Sequence, residues 1–199
     1  MRNDDYKIYA TNVQGKFELL TDPNSPADKY LVTQAVLTIE NPLFSRKNLL
    51  DHISAWIKRS NNIWGKEMGI DYAENKIVSA AAVNVATHAS FIIVNKVSVV
   101  PTLVIRLIEE DKLFVSFMTD RYKNDEYGGS DKKYSRTYTP KITEVFPFVS
   151  KSSYKQTYAK AYVGTYTYFW SFIYDLRKDL NEKFAKDTDL LTQLHYEYQ

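Results

Sequence analysis

The chain predicts an α+β fold, an antiparallel sheet with two helices packed on one of its faces. Three observations carry that expectation. Two stretches repeat apolar residues at three and four, as one face of a helix does. Several shorter stretches alternate apolar and polar residues, as half-buried strands do. Short acidic or polar turns join successive strand-like runs closely enough for hairpins.

The first thirty residues mix short apolar pieces with turn formers and end in Thr21-Asp22-Pro23-Asn24-Ser25-Pro26, whose prolines favour an open loop. Residues 1–29 therefore read as an arm, 30–186 as a single α+β domain and 187–199 as a tail. Leu31 to Ile39 (LVTQAVLTI) alternates and is β-branched, which makes it the first core strand. Asn41-Pro42 stops it, and Ser45 stands at a helix N-cap ahead of Leu49, Ile53, Trp56 and Ile57, so a helix is predicted from about Arg46 to Asn61. Ile70 to Tyr72 and Lys76 to Val85 flank the polar Ala73-Glu74-Asn75 as a hairpin; the alanines of KIVSAAAVNV also permit a helix, but Ile77, Val83 and Val85 favour a strand. Thr87 to Asn95 contains the extended-looking FIIV, with nothing that ties it to the sheet.

Val97 to Ile108 and Lys112 to Tyr122 make the clearest strand pair, with Pro101 near a strand start or on an edge. Glu109-Glu110-Asp111 joins them, and three acids at a hairpin tip read as a solvated turn rather than a metal or acid/base site. Lys123 to Ser153 reads as a long polar connection rich in tyrosine. Tyr166, Phe169, Trp170, Ile173, Leu176, Leu180 and Phe184 then fall on one helical stripe, predicting a long C-terminal helix. The order β-α-β-β-β-β-α fits half of the TATA-binding-protein-like (TBP-like) fold. A helix-grip layout, a curved sheet wrapped round a long C-terminal helix, is the alternative.

Composition narrows the chemistry. Lys and Arg number 26 against 24 Asp and Glu, a net charge of +2, so no global field holds a polyanion. The absence of cysteine removes thiol catalysis, disulfides and thiolate metal sites. No run reaches the length of a membrane span. His52, His88 and His195 form no metal-ligand spacing, and no nucleophile elbow, P-loop or dinucleotide fingerprint occurs. No catalytic residue, metal or cofactor is expected. Arg121-Tyr122-Lys123 and Lys132-Lys133-Tyr134-Ser135-Arg136 interleave bases with aromatics, but Asp120, Asp125, Glu126 and Asp131 neutralise them, so nucleic acid is not expected as a partner.

The strand Leu31 to Ile39, the helix with its Ala55-Trp56-Ile57 block and the hairpin Asp71-Tyr72-Ala73-Glu74-Asn75-Lys76-Ile77-Val78 form a recognisable set. The last pair completes it, Leu103-Val104-Ile105 leading through an acidic turn to Lys112-Leu113-Phe114-Val115. Together they resemble the DUF4468 family of Bacteroidetes proteins, a domain of unknown function described as TBP-like, over about Tyr30 to Phe184. That family typically has a glycine in the first hairpin turn, where here Asn75 runs directly into Lys76, and a basic-aromatic pair in the last strand, where Leu113-Phe114-Val115 has no arginine. The resemblance implies an envelope or exported location and no known catalysis, and it supplies no active-site residues. On that basis the protein is expected in the periplasm or cell envelope if a leader has been removed, and in the cytoplasm otherwise.

The surplus to be explained is aromatic: 16 tyrosines, many of them in the last third of the chain. Arg121, Tyr127, Tyr134 and Tyr138 are the candidate binding residues, an aromatic platform suited to a protein, peptide or glycan ligand, although the same tyrosines could pack the connection onto the sheet. The expected function is a non-catalytic binding or protein-interaction module of the bacterial cell envelope. The alternative is a small-ligand-binding protein or enzyme with a cavity between the sheet and the C-terminal helix, motivated by the stripe from Tyr166 to Phe184.

Overall fold

Strands that bend from one sheet into another organise this molecule. The structure, a computed structural model, describes residues 18–22, 25–39, 44–60, 64–89, 92–128, 134–145 and 155–184. Its strands are β1 (Glu18–Asp22), β2 (Ser25–Thr38), β3 (Met68–Asp71), β4 (Lys76–Ala80), β5 (Val83–Ala89), β6 (Ile93–Val99), β7 (Thr102–Leu107), β8 (Lys112–Thr119), β9 (Tyr122–Gly128) and β10 (Tyr134–Tyr138). Its helices are α1 (Arg46–Ser60), α2 (Ile142–Val145) and α3 (Lys155–Phe184), with a 3₁₀ turn at Trp64–Glu67. The larger sheet runs β1-β2-β8-β7-β4-β3 and the smaller β10-β9-β6-β5, both with antiparallel pairing.

Three neighbouring strands of the larger sheet continue into the smaller. β4 passes into β5 through Ala81-Ala82, β6 into β7 through Val100-Pro101, and β8 into β9 through Asp120-Arg121. Each break has a local cause. Pro101 has no N–H to give a ladder, two small alanines leave room for a turn of the chain, and Asp120 turns its backbone carbonyl to accept the Ile142 N–H at 2.7 Å. Across the last break the buried positions change parity, from Leu113, Val115 and Phe117 to Tyr122, Asn124 and Glu126. α2 and its approach are laced to this bend, Tyr122 N–H donating to the Pro140 carbonyl at 3.0 Å.

α1 forms where expected. The Ser45 hydroxyl accepts the Asn48 N–H at 3.2 Å, and Lys58 and Arg59 end the helix where its dipole favours cations. It buries Leu49, Leu50, Ile53, Trp56 and Ile57 against the larger sheet. α3, about 45 Å long at the usual rise per residue, lies across both sheets. Its first half sets Tyr158 on Tyr122 of the small sheet, ring centroids 5.9 Å apart, and its second half sets Phe169 on Phe117 of the large one at 4.3 Å. Between the two, Gly164 passes over Val85 of β5. The α+β class, with antiparallel strands covered by helices, is the one the sequence predicts, and the strands expected in one sheet divide between two.

Several elements differ from expectation. The run from Thr21 to Pro26 read as an open loop, but Thr21 and Asp22 belong to β1 and Ser25 and Pro26 to β2, which pair antiparallel, so the sheet extends into the segment read as an arm. Lys76–Val85 and Val97–Ile108 each divide between the two sheets, and Thr87–Asn95 holds the end of β5 and the start of β6. The connection from Lys123 holds β9, β10 and α2, and the tail at 187–199 lies outside the described residues.

In the β3–β4 turn, Asn75 has a φ of 50° and the Asp71 carboxylate accepts the Ala73 and Glu74 N–H groups, both at 3.0 Å. This left-handed position suits glycine best and asparagine next, which explains why the resembling family's glycine can be absent. Asn75→Gly is expected to change stability by less than about 0.5 kcal/mol, whereas Asn75→Val costs about 1–2 kcal/mol. Urea unfolding midpoints of the two variants check this.

Candidate functional site

The small sheet has a polar inner face. Residues paired across an antiparallel ladder share a face, so the register His88↔Asn95, Asn95↔Glu126 and Glu126↔Arg136 lays one polar residue from each of four strands in a single row. The next row reads Ala86, Val97, Asn124 and Tyr138, and Tyr134 follows opposite Gly128. α3 packs over β5 and β6, and at the β10 end of the rows Arg136 is exposed and Tyr138 half-buried. Tyr134 is consequently 43% exposed and Arg136 is exposed, while Glu126 and Asn124 beneath them are buried at 3% and 0%.

Hydrogen bonds organise this shelf from the inside outward. Asn124 donates through Nδ2 to Asn95 Oδ1 at 3.0 Å. The Tyr134 hydroxyl is bonded to the Glu126 carboxylate and to Tyr138, and these contacts, Glu126 first, raise its pKa above the ordinary phenol value. Arg136 stacks on the Tyr138 ring with its guanidinium carbon 4.5 Å from the centroid. Tyr158, on the first turns of α3, is raised chiefly by burial; a hydrogen bond from Asn124 opposes that, and Tyr138, Glu144 and Glu126 add to it. Tyr122 is raised strongly by burial. Its hydroxyl lies beside Thr165, whose own proton goes to the Ala161 carbonyl at 2.7 Å, and among the described residues Tyr122 OH and Asn124 Oδ1 are both buried without a hydrogen-bond partner.

At the covered end of the row, Lys160 Nζ donates to His88 Nδ1 at 2.9 Å, which requires a neutral ring. Burial first and then the Lys160 charge push His88 below its ordinary value of 6.5. A histidine depressed in the folded state contributes stability that is complete above its unfolded value and is lost as pH falls from about 6.5 through the folded value. Wild type is therefore expected to lose more stability than His88→Gln between about pH 6.5 and pH 5. The difference between their unfolding midpoints isolates this ring from carboxylates such as Asp125, which a hydrogen bond from Thr137 lowers and which also weakens the fold in acid.

The four residues singled out in the sequence separate. Tyr134 and Tyr138 lie together on the inner face. Tyr127, 44% exposed, points to the outer face of the same sheet beside Val94 and Ser135. Arg121 sits at the β8–β9 bend, bridged through its backbone to Lys141 and ion-paired with Asp120. Tyr122 belongs to the core, at 2% exposure. The residues that sequence reading missed are Glu126, Asn124, Asn95 and His88. The i, i+2 spacing of Asn124 and Glu126 was the available signal, hidden because a polar inward face looks like a loop.

A second concavity lies between the helices. One depression of about 290 Å³ is lined by His52, Arg59, Asp179, Glu182 and Lys183, and a neighbour of about 230 Å³ by Trp56, Ser60, Tyr168, Ser171, Phe172 and Asp175. His52 Nε2 meets Asp179 Oδ2 at 2.5 Å, joining α1 to α3. Between α3 and the larger sheet, by contrast, Phe117, Phe169, Phe172 and Trp64 interlock, which is how the stripe expected to line a cavity is used.

No protein-family profile and no curated protein matches the chain. Among solved structures, a DUF4468 family protein from Bacteroides ovatus superposes with a TM-score of 0.54 at 11% identity, over 94% of this chain and 99% of that one. A TBP-like protein from Parabacteroides distasonis superposes with a TM-score of 0.49 at 15% identity, over 75% of this chain and 94% of that one. The resemblance seen in the sequence therefore holds at the level of the fold, which this chain shares with the DUF4468 protein. No described helix is long and apolar enough to cross a membrane.

Proposed function

We propose that the protein is a non-catalytic binding module of the cell envelope and that it holds its ligand on the open end of the small sheet's inner face. One observation carries this reading: Tyr134 and Arg136 stand exposed on β10 beside the half-buried Tyr138, while Glu126, buried on the neighbouring strand, holds the Tyr134 hydroxyl. An aromatic face held in one orientation by a buried carboxylate is pre-organised for contact, and little side-chain freedom remains to be lost when a ligand binds. The ligand classes in view are a protein, a peptide or a glycan. The envelope location is supported by what the family resemblance implies, and cell fractionation with an antibody to the native protein tests it; recovery from the cytosol alone contradicts it.

The binding reading is tested by ligand-observed NMR on mixtures of short peptides and oligosaccharides. At least one class is expected to bind wild type and to lose contact in a Tyr134→Ala, Arg136→Ala double variant. Equal binding by both proteins places the seat elsewhere. The same mixtures are expected to come through prolonged incubation unchanged, and a new product would make the protein an enzyme.

A further inference from the structure

At one end of the small sheet β5 finishes, β6 begins, β9 finishes and β10 begins, and we infer that this end inserts shallowly into the surface of an anionic lipid bilayer. Its last ladder rows are largely apolar on both faces. On the outer face the row reads Ala89, Val94, Tyr127 and Ser135, with Val94 37% and Tyr127 44% exposed. On the inner face Ile93 and Tyr134 flank Gly128, and Tyr134 is exposed as well. Ile92 stands beyond both rows at 64%, the most exposed large apolar side chain among the described residues. Gly128 joins them: a methyl group there would lie 3.2 Å from the Ile92 carbonyl oxygen, 3.3 Å from the Ile93 side chain and 3.6 Å from the Tyr134 ring.

Apolar side chains exposed singly need no occupant, whereas a contiguous patch marks a contact surface. Shape and charge select the occupant. A flat protein surface covers one face of a sheet; here the outer face, the inner face and the tip are apolar together, and a bilayer surface, which yields around a protrusion, receives all three. The next rows reverse polarity on both faces, with Thr87, Lys96, Asp125 and Thr137 outside and His88, Asn95, Glu126 and Arg136 inside. An apolar tip, tyrosines at its boundary and a charged girdle behind them follow the gradient from acyl chains through headgroups to water. At about 3.3 Å per residue, Lys96 follows Val94 by about 7 Å, which limits insertion to the headgroup boundary. On these four strands and their β5–β6 and β9–β10 connections, Lys96, Lys123, Lys132, Lys133 and Arg136 outnumber Asp125, Glu126 and Asp131, while His88 is neutral against Lys160 of α3. That excess equals the chain's net charge of +2 and favours anionic headgroups.

The inference does not rest on the ligand seat: Tyr134 borders both surfaces, and the test leaves it untouched. Because the chain has no cysteine, single labels report the contact directly. Ile92→Cys and Tyr127→Cys, each carrying a nitrobenzoxadiazole fluorophore, are mixed with unilamellar vesicles of phosphatidylcholine and phosphatidylglycerol, with Val36→Cys on the large sheet as the control. Labels at 92 and 127 are expected to shift to the blue and to be quenched by lipids brominated in the acyl chain, and the label at 36 to do neither. In vesicle sedimentation, a triple variant Ile92→Ser, Val94→Ser, Tyr127→Ser is expected to lower the partition coefficient by about tenfold or more with an unchanged unfolding midpoint, since all three side chains are exposed. Vesicle binding that leaves the labels at 92 and 127 in water and vanishes in high salt is adhesion by charge alone and overturns the insertion. An equal response from the label at 36 overturns it too, as does the absence of vesicle binding. A concentration-dependent dimer that the triple variant disperses, without vesicle binding, gives the patch to a second copy of the chain and overturns the bilayer. None of these failures touches the ligand seat, which is read through Tyr134→Ala, Arg136→Ala.

Discussion

Gly164→Ala is expected to destabilise the protein by about 3 kcal/mol, the upper end of what overpacking costs. A methyl group at this position would lie 1.9 Å from the Val85 carbonyl oxygen, 2.9 Å from its carbon and 3.4 Å from its Cα. All three are backbone atoms of β5, so no side-chain rotation relieves the clash. Either α3 lifts from the small sheet or β5 shifts at its bulge between Asn84 and Ala86. Both disturb the packing of Tyr158 and Tyr162, which the same helix presses onto that sheet. Chemical unfolding of the variant measures the loss, and an unchanged midpoint means that helix and strand do not approach this closely.

Phe117→Ala should cost about 3–5 kcal/mol, as removal of a fully buried phenylalanine does. Phe117 is the point where α3 and the 3₁₀ turn meet on the large sheet. Its ring stacks on Phe169 at 4.3 Å and lies edge-on to Phe172 at 5.2 Å and to Trp64 at 5.7 Å. Trp64 in turn donates its indole N–H to the Tyr168 hydroxyl at 2.6 Å, and its carbonyl accepts the Ser79 hydroxyl at 2.5 Å. Truncation therefore leaves a cavity ringed by side chains already held by other contacts, with little room to collapse. Phe117→Leu fills most of the space and is expected to lose less than half as much. Should the alanine variant not fold, the leucine variant still gives a number, and a loss below about 1 kcal/mol there and in Phe117→Ala alike contradicts the central placement of this ring.

Both effects concern elements that were visible in the sequence to different degrees. α1 was legible because Ser45 caps it and its apolar positions keep helical spacing, and α3 because its stripe persists over many turns. The bends between sheets were not. From β6 to β7 the buried positions Val97, Val99, Pro101, Leu103 and Ile105 keep the same parity, and from β4 to β5 so do Ile77, Ser79, Ala81 and Val83. Alternation that survives a break cannot reveal it. β9 and β10 were hidden for the opposite reason: the inner positions Asn124, Glu126 and Arg136 are polar, so strand periodicity in hydrophobicity vanishes there and the segment reads as a loop.

The candidate site follows the same division. An excess of tyrosine pointed to Tyr134 and Tyr138, whereas the choice of face required the register. Tyr127 is one residue away from the inner row and so lies on the other side of the sheet, the consequence of a period of two. Arg121 falls at a bend, where its charge is already matched by Asp120. Glu126, which looked in the sequence like one more acid cancelling nearby bases, is buried and oriented toward the exposed phenol, and only pairing of β9 with β10 brings the two together. Long-range pairing of this kind leaves no local trace in the chain.

The most direct test of the binding seat is an amide chemical-shift map of the protein titrated with the short peptides and oligosaccharides. Shifts are predicted to concentrate on β9, β10 and the first turns of α3, with Tyr134, Arg136 and Tyr138 among the most perturbed. A map centred instead on the outer face of the large sheet, where Val36 and Met118 are exposed, or on the depression between α1 and α3, would contradict the assignment of the seat.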